Sequence, residues 1–184
     1  MRRLGDLAGA AAGLLVFAPV MAVISAAVWL DDGGPILFRQ TRIGLRRRPF
    51  TILKFRTMRD GEVTRVGRVL RTTGLDEIAQ FFNIVRGDMS AVGPRPLTDA
   101  DVRRLGWGTG EFDFRWEKRP GLTGLAQIVG PESPQDALDL DRSYTRRWYP
   151  LLDCQLIALS FAVNVLGKVR VRKLARQVNV RDAR

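Results

Sequence analysis

No histidine occurs anywhere in this chain, and its one cysteine is Cys154. Histidine-based acid–base work, His-ligated metal sites and a Ser-His-Asp triad are therefore excluded. Acid–base or nucleophilic chemistry must come from carboxylates, hydroxyls, lysines or that single thiol. A lone cysteine excludes an intrachain disulfide and fits a reducing compartment. Cys154 lies in an apolar run, which predicts a buried, inert thiol. There is no internal repeat and no low-complexity segment, and 184 residues favour one domain with a real core.

What the chain has in excess is arginine: the formal net charge is +11. Such a surplus points to nucleic acid, an anionic membrane surface or an anionic substrate. The N-terminus narrows the choice. Leu7 to Leu30 carries no charge and is long enough, as a helix, to cross a bilayer. It can be read as a signal peptide, a single crossing, a buried core helix or a re-entrant helix that enters one leaflet and returns. Arg2 and Arg3 precede it, and Arg39, Arg42, Arg46, Arg47 and Arg48 follow, so both ends prefer the cytoplasmic side. A re-entrant helix satisfies both ends, and Pro19 near its middle predicts a kink or break.

Beyond this segment, Ile36–Arg42 and Pro49–Phe55 read as two strands around a Gly-Leu-Arg-Arg-Arg turn. Thr64–Leu70 reads as a short helix or turn, and Leu75–Arg86 as a helix with apolar spacing at Leu75, Ile78, Ala79 and Phe82. Gly87 is its expected stop, and Thr73 with Asp76 has capping-box spacing. Asp99–Glu117 is partly helical, and Arg119–Gly130 is a Gly-punctuated loop with a short strand. Glu132–Asp141 leads into a helix ending near Trp148-Tyr149-Pro150, and Leu151–Leu166 is an apolar helix. The tail from Lys168 to Arg184 alternates basic and apolar residues, which reads either as a solvated tail after a core helix or as a helix lying on an anionic membrane surface.

The stretch from Arg71 to Pro96 carries the chemistry. Asp76 and Glu77 are adjacent carboxylates at a helix start, framed by Arg71 and Arg95. An acidic pair in a basic frame suits a phosphorylated substrate handled together with a divalent cation. The helix start and nearby arginines favour an ionised Asp76, as a carboxylate nucleophile requires. Gln80 and Asn83 fall on the same side as Asp76, giving a polar stripe opposite the apolar face. Glu77 points about 100° away, so one carboxylate can attack while the other holds Mg²⁺. Arg95 sits between Pro94 and Pro96, which stiffen the backbone beneath one guanidinium and suit it to phosphate recognition. Lys54, Arg56 and Arg71 add positive charge. Because the best arginines sit beside carboxylates, which would repel a nucleic-acid backbone, no nucleic-acid partner is expected.

These residues lie in K-F-R-T-M (Lys54 to Met58), L-R-x-x-G-L-D-E (Leu70 to Glu77), Q-x-x-N (Gln80 to Asn83), G-D-M-S-x-V-G-P-R-P (Gly87 to Pro96) and R-P-G-L-T-G-x-A-Q (Arg119 to Gln127). In that order, with F-x-Q-x-R-x-G (Phe38 to Gly44), they resemble the bacterial sugar transferase family: the small monotopic phosphoglycosyl transferases that start exopolysaccharide and glycoconjugate assembly. The resemblance implies transfer of a sugar-1-phosphate from a nucleoside diphosphate sugar, usually a UDP-sugar, to polyprenyl phosphate. It implies Asp76 as nucleophile, a phosphosugar-aspartyl intermediate, release of UMP, and Glu77 as the Mg²⁺ ligand. Lys54, Arg71 and Arg95, with Arg56 and Gln80, form the candidate substrate- and phosphate-binding set.

The expected fold is α+β and mostly helical: a re-entrant membrane helix over 1–32, then a cytosolic catalytic domain over 33–184 with a small β-hairpin and amphipathic helices at the membrane interface. The expected place is the cytoplasmic face of a bacterial inner membrane, with membrane lipids as partners and an oligomer compatible. Three positions depart from the family pattern: Ala79 replaces a Pro, Leu125 a Trp, and Gly130-Pro131-Glu132 a Gly-Arg-Asn. The last removes a positive charge, and with it comes the alternative of a catalytically impaired member that serves as a membrane scaffold.

Overall fold

A computed structural model describes residues 2–146 and 150–166. The described residues are mostly helical with three two-stranded sheets among them, and the chain forms two compact units. The first comprises Met1–Arg42 and Phe50–Met89. The second comprises Ile43–Pro49 and the described residues from Ser90 onward. Packing thus groups the N-terminal helix with the segment that carries the Asp-Glu pair.

In the first unit, α1 (Arg2–Asp32) is a single helix of 31 residues, ~46 Å long. It is uninterrupted at Pro19, so the break predicted there as one alternative does not occur. One stripe of α1 (Ala10, Phe17, Met21, Ile24, Val28) packs inward. Leu15, Val16, Val20, Val23, Trp29 and Leu30 are exposed on its other faces. Gly13 lies on the inward side because a Cβ there would come 2.9 Å from Phe81 Cζ. That absence lets Phe81 and Phe17 stack, with ring centroids 6.1 Å apart.

Strands β1 (Leu37–Ile43) and β2 (Pro49–Phe55) pair as expected. They are followed by an unforeseen hairpin of β3 (Met58–Arg59) and β4 (Glu62–Val63). Its two-residue turn is Asp60-Gly61, both with positive φ, which is the Asp-Gly hairpin signature. Helix α2 (Arg65–Thr73) is capped by Thr64, whose hydroxyl accepts from Gly67 N at 2.9 Å. A 3-10 turn (Leu75–Gln80) and helix α3 (Phe81–Arg86) follow, so the expected single helix from Leu75 changes its winding at Gln80. Gly87 ends α3 in the left-handed region at φ 96, as expected. Leu53, Phe55, Leu70, Ile78 and Ala79 join α1 in one buried cluster.

In the second unit, β5 (Ser90–Val92) and β6 (Gly121–Thr123) form a parallel pair, Ser90 opposite Gly121 and Val92 opposite Thr123. Gly93, Gly121 and Gly124 lie where backbone presses on backbone, so a side chain at any of them would collide with a main-chain atom. Helices α4 (Asp99–Leu105), α5 (Leu125–Val129), α6 (Pro134–Arg146) and α7 (Pro150–Leu166) complete the unit, with a 3-10 turn at Gly110–Trp116. Helix α5 forms where the glycine-punctuated sequence reads as loop. Thr98 and Asp101 make a reciprocal capping box on α4. Val92, Ile128, Val129, Tyr144 and Leu156 form one core; Leu97, Val102, Trp107, Trp116 and Leu138 form another.

Cys154 corrects the sequence reading: it is exposed. Helix α7 buries the face that carries Leu156, and Cys154 stands on the other side. The expected interfacial helix over 168–184, and the Trp148-Tyr149 end of α6, lie outside the described residues.

Candidate active site

Helix α2 stops at Gly74, which takes the left-handed conformation (φ 73) that a side chain resists. Thr73 therefore does not cap the next segment. Its hydroxyl donates back to Val69 O and Leu70 O at 2.8 and 3.2 Å, so the expected capping box with Asp76 is absent. The chain reverses and Glu77 N donates to Gly74 O at 3.2 Å. This tight turn sets Asp76 and Glu77 half-buried at the head of the 75–86 segment.

Strand β2 supplies the counter-charge. Lys54 Nζ donates to Glu77 Oε1 at 2.5 Å. Arg71, in the last turn of α2, donates from Nε to Thr57 Oγ1 at 2.9 Å. Burial pushes the Asp76 carboxyl above its ordinary pKa, and the Glu77 charge adds to the rise. Lys54, a backbone N–H and Arg71 pull the other way. The net direction is opposite to that expected from the helix start and the arginines, because a half-buried acid beside a second acid loses more solvation than those cations return.

Two further expectations change. Gln80 and Asn83 do not form a solvent-facing stripe: they are 2% and 0% exposed. Residues 75–80 wind as a 3-10 turn, so the helical-wheel angles assumed for one continuous α-helix do not apply. Asn83 instead clamps strand to helix. Its Oδ1 accepts from Leu53 N at 2.9 Å, and its Nδ2 donates to Thr51 O at 2.7 Å and to Asp88 Oδ2 at 3.1 Å.

Arg56 reaches the end of α1, where its Nη2 donates to Asp32 Oδ1 in a largely buried ion pair. Gly34 makes this possible, since a Cβ there would occupy the space of the guanidinium. Asp31 Oδ2 accepts from Val66 N at 3.1 Å, so both terminal carboxylates of α1 are tied into the same unit. At the other end, Arg3 donates to Ile84 O and Val85 O, at 2.7 and 3.0 Å. These are last-turn carbonyls of α3, a position that favours a cation. None of these anchors is evident from spacing, since their partners lie 24 to 82 residues apart.

The second unit carries Arg95. Its side chain is exposed between buried Pro94 and Pro96. Its carbonyl accepts from Arg115 Nη2 at 3.0 Å. Arg115 is itself 3% exposed, donates from Nε to Asp141 Oδ2 at 2.7 Å, and lies over the rings of Trp107 and Trp116. A buried, fixed guanidinium thus holds the backbone beneath an exposed one.

Strand β2, helix α2 and the turn after it bring Lys54, Arg71 and the adjacent Asp76 and Glu77 together. The sequence profile of the bacterial sugar transferase family matches residues 1–167. The chain belongs to this family. It is 38% identical over 177 residues to the UDP-glucose:undecaprenyl-phosphate glucose-1-phosphate transferase of Caulobacter vibrioides, covering 85% of this chain and 66% of that one. It is 35% identical over 189 residues to the Escherichia coli K12 transferase of the same description, covering 91% of this chain and 41% of that one. A third sugar transferase, the UDP-N-acetylgalactosamine-undecaprenyl-phosphate N-acetylgalactosaminephosphotransferase of Aeromonas hydrophila, is 37% identical over 138 residues, 67% of this chain and 33% of that one. The chain thus spans less than two thirds of the length of most of the relatives it matches.

Among the described residues no group of three or more Asp, Glu, Cys or His is close enough to hold an ion unaided. Magnesium commonly takes one or two carboxylates and completes its shell with phosphate and water.

Proposed function

We propose that this sugar transferase moves a sugar-1-phosphate from a UDP-sugar to polyprenyl phosphate, with Asp76 as a covalent nucleophile. The observation that carries this reading is the half-buried Asp76 beside Glu77, with Lys54 2.5 Å from the Glu77 carboxylate. The named activities of the relatives supply the substrate class.

A carboxylate oxygen of Asp76 attacks the sugar-linked phosphorus. The bond from that phosphorus to the bridging oxygen breaks, and UMP leaves with the oxygen and the electron pair. A phosphate oxygen of the polyprenyl acceptor then attacks the same phosphorus. The acyl phosphate bond breaks, Asp76 returns as a carboxylate, and a polyprenyl diphosphate sugar is the product. Such a transfer depends on alignment and charge neutralisation. Lys54 and Arg71 hold down the proton affinity of Asp76 and face the phosphates, while Arg95 is the exposed guanidinium of the second unit. Glu77 would hold Mg²⁺, which supplies charge neutralisation for the diphosphate.

The place of action is the cytoplasmic face of the bacterial inner membrane. Helix α1 is apolar and long enough to cross a bilayer, by length and composition. Both of its ends are anchored to the same compact unit, through Arg3 and through Asp31 and Asp32. This supports a monotopic helix that stays with its unit on one side, in keeping with the arginines at both flanks.

UMP release by detergent-solubilised protein from a panel of UDP-sugars tests the reading. Release that needs undecaprenyl phosphate for turnover, Mg²⁺ and Asp76 upholds it. No release by folded, lipid-bound protein from any donor overturns it.

A further inference from the structure

We infer that Asn83 is the positioning residue of the site: its side-chain amide sets the register of strand β2 against the 75–86 segment and so places Lys54 on Glu77. The inference rests on the transferase reading above. Asn83 is fully buried, and its side chain makes three hydrogen bonds. Two of them go to the main chain of β2, at Thr51 O and Leu53 N. An amide that accepts from one residue and donates to the residue two before it imitates a neighbouring strand. β1 pairs with β2, and the Asn83 amide adds two further hydrogen bonds to the β2 main chain.

Lys54 is the next residue along β2 after Leu53. Successive residues of a strand point to opposite faces, so a slip of one residue would turn Lys54 away from Glu77. Asn83 and Glu77 belong to one short stretch of chain, so fixing Asn83 to Leu53 N fixes Glu77 relative to Lys54. The third bond, to Asp88, folds the Gly87–Met89 turn back on Asn83, whose carbonyl also accepts from Gly87 N, Asp88 N and Met89 N. Asn83 is thus itself held from behind, as a positioning group must be. Aspartate is a poor replacement, because it keeps the acceptor and deletes both donors.

The test compares wild type, Asn83→Ala, Asn83→Asp, Lys54→Met and the Asn83→Ala/Lys54→Met double variant in detergent. Two quantities are measured beside the melting temperature: kcat for UMP release, and the rate at which Lys54 is acylated by an N-hydroxysuccinimide ester, read by peptide mass spectrometry with Lys118 as reference. Expected are a fall in kcat of about tenfold or more for each Asn83 variant, with a lowered but still cooperative melt, a further fall of less than about threefold when Asn83→Ala is added to Lys54→Met, and several-fold faster acylation of Lys54, as in a Glu77→Gln control. An equal kcat penalty in both backgrounds, or unchanged Lys54 acylation, overturns the inference. So does failure of both Asn83 variants to fold, which would make the residue structural only. Wild type that releases no UMP defeats the transferase reading, while the acylation rates still decide whether Asn83 places Lys54.

Discussion

Lys54 on strand β2 and Glu77 on the turn after α2 meet at 2.5 Å, which brings two distant pieces of sequence into one charged pair beside Asp76. The pair is only partly buried, so its worth lies less in stability than in aligning charge where a diphosphate arrives. Lys54→Met is expected to lower kcat/KM about a hundredfold, a loss of ~2.7 kcal/mol of transition-state stabilisation, with little change in melting temperature. Steady-state UMP release and a thermal melt check both parts.

Gly34 and Arg56 give a second prediction. A methyl group at residue 34 would take the space of the Arg56 guanidinium and separate it from Asp32. Gly34→Ala and Arg56→Met are therefore expected to destabilise the first unit by similar amounts, about 1–3 kcal/mol, since each leaves Asp32 buried without its ion partner. Urea unfolding of the two variants and of their combination checks this; the combination adds little beyond either alone.

The buried Arg115–Asp141 pair makes the sharpest stability prediction in the second unit. Burial pushes the Asp141 carboxyl up, and Arg115 opposes the rise. Removing one partner leaves the other charged and unpaired, at a cost of about 3–5 kcal/mol. Asp141→Ala is expected to lose that much in urea unfolding, whereas Arg115→Met/Asp141→Leu recovers most of it.

Asp101 supplies a pH dependence. The hydrogen bond from Thr98 is the main reason its carboxyl is held below the ordinary range. An acid whose folded-state pKa is depressed contributes stability that is complete above its unfolded value, about 4, and is lost as pH falls through the folded value. Asp101→Asn is thus expected to flatten the loss of stability below about pH 4 and to leave the pH 7–8 profile unchanged in shape. Thr98→Ala is expected to cost ~1 kcal/mol at neutral pH. Denaturant titrations at pH 3, 4 and 7 separate the two effects.

Much of this was legible in the sequence. The β1–β2 hairpin, α2, α6 and α7 follow from local spacing, and Gly87 stops α3 as a C-terminal glycine should. The Asp76-Glu77 pair and Lys54 stand together, as two short motifs suggested. What spacing misread was burial. Asn83 and Gln80 look like an exposed polar stripe on a helical wheel, but a 3-10 turn breaks the wheel and the amide of Asn83 finds main-chain partners 30 and 32 residues away. Cys154 looks buried by its apolar neighbours, yet α7 has only one covered face. The β5–β6 pair joins residues about 30 apart through glycines whose role is to have no side chain, and nothing in a local window reports that. Asp60-Gly61 is the one omission with a clear local signal.

The most direct measurement is intact and peptide mass spectrometry of the wild-type protein incubated with UDP-sugar and Mg²⁺ but no polyprenyl phosphate. A covalent route predicts UMP released to at most one equivalent and an added sugar-phosphate mass on the peptide containing Asp76, absent in Asp76→Asn and discharged by polyprenyl phosphate. Turnover with the lipid but no adduct and no UMP without it, under rapid quenching, would contradict Asp76 as a nucleophile and assign the reaction to direct attack by the lipid phosphate.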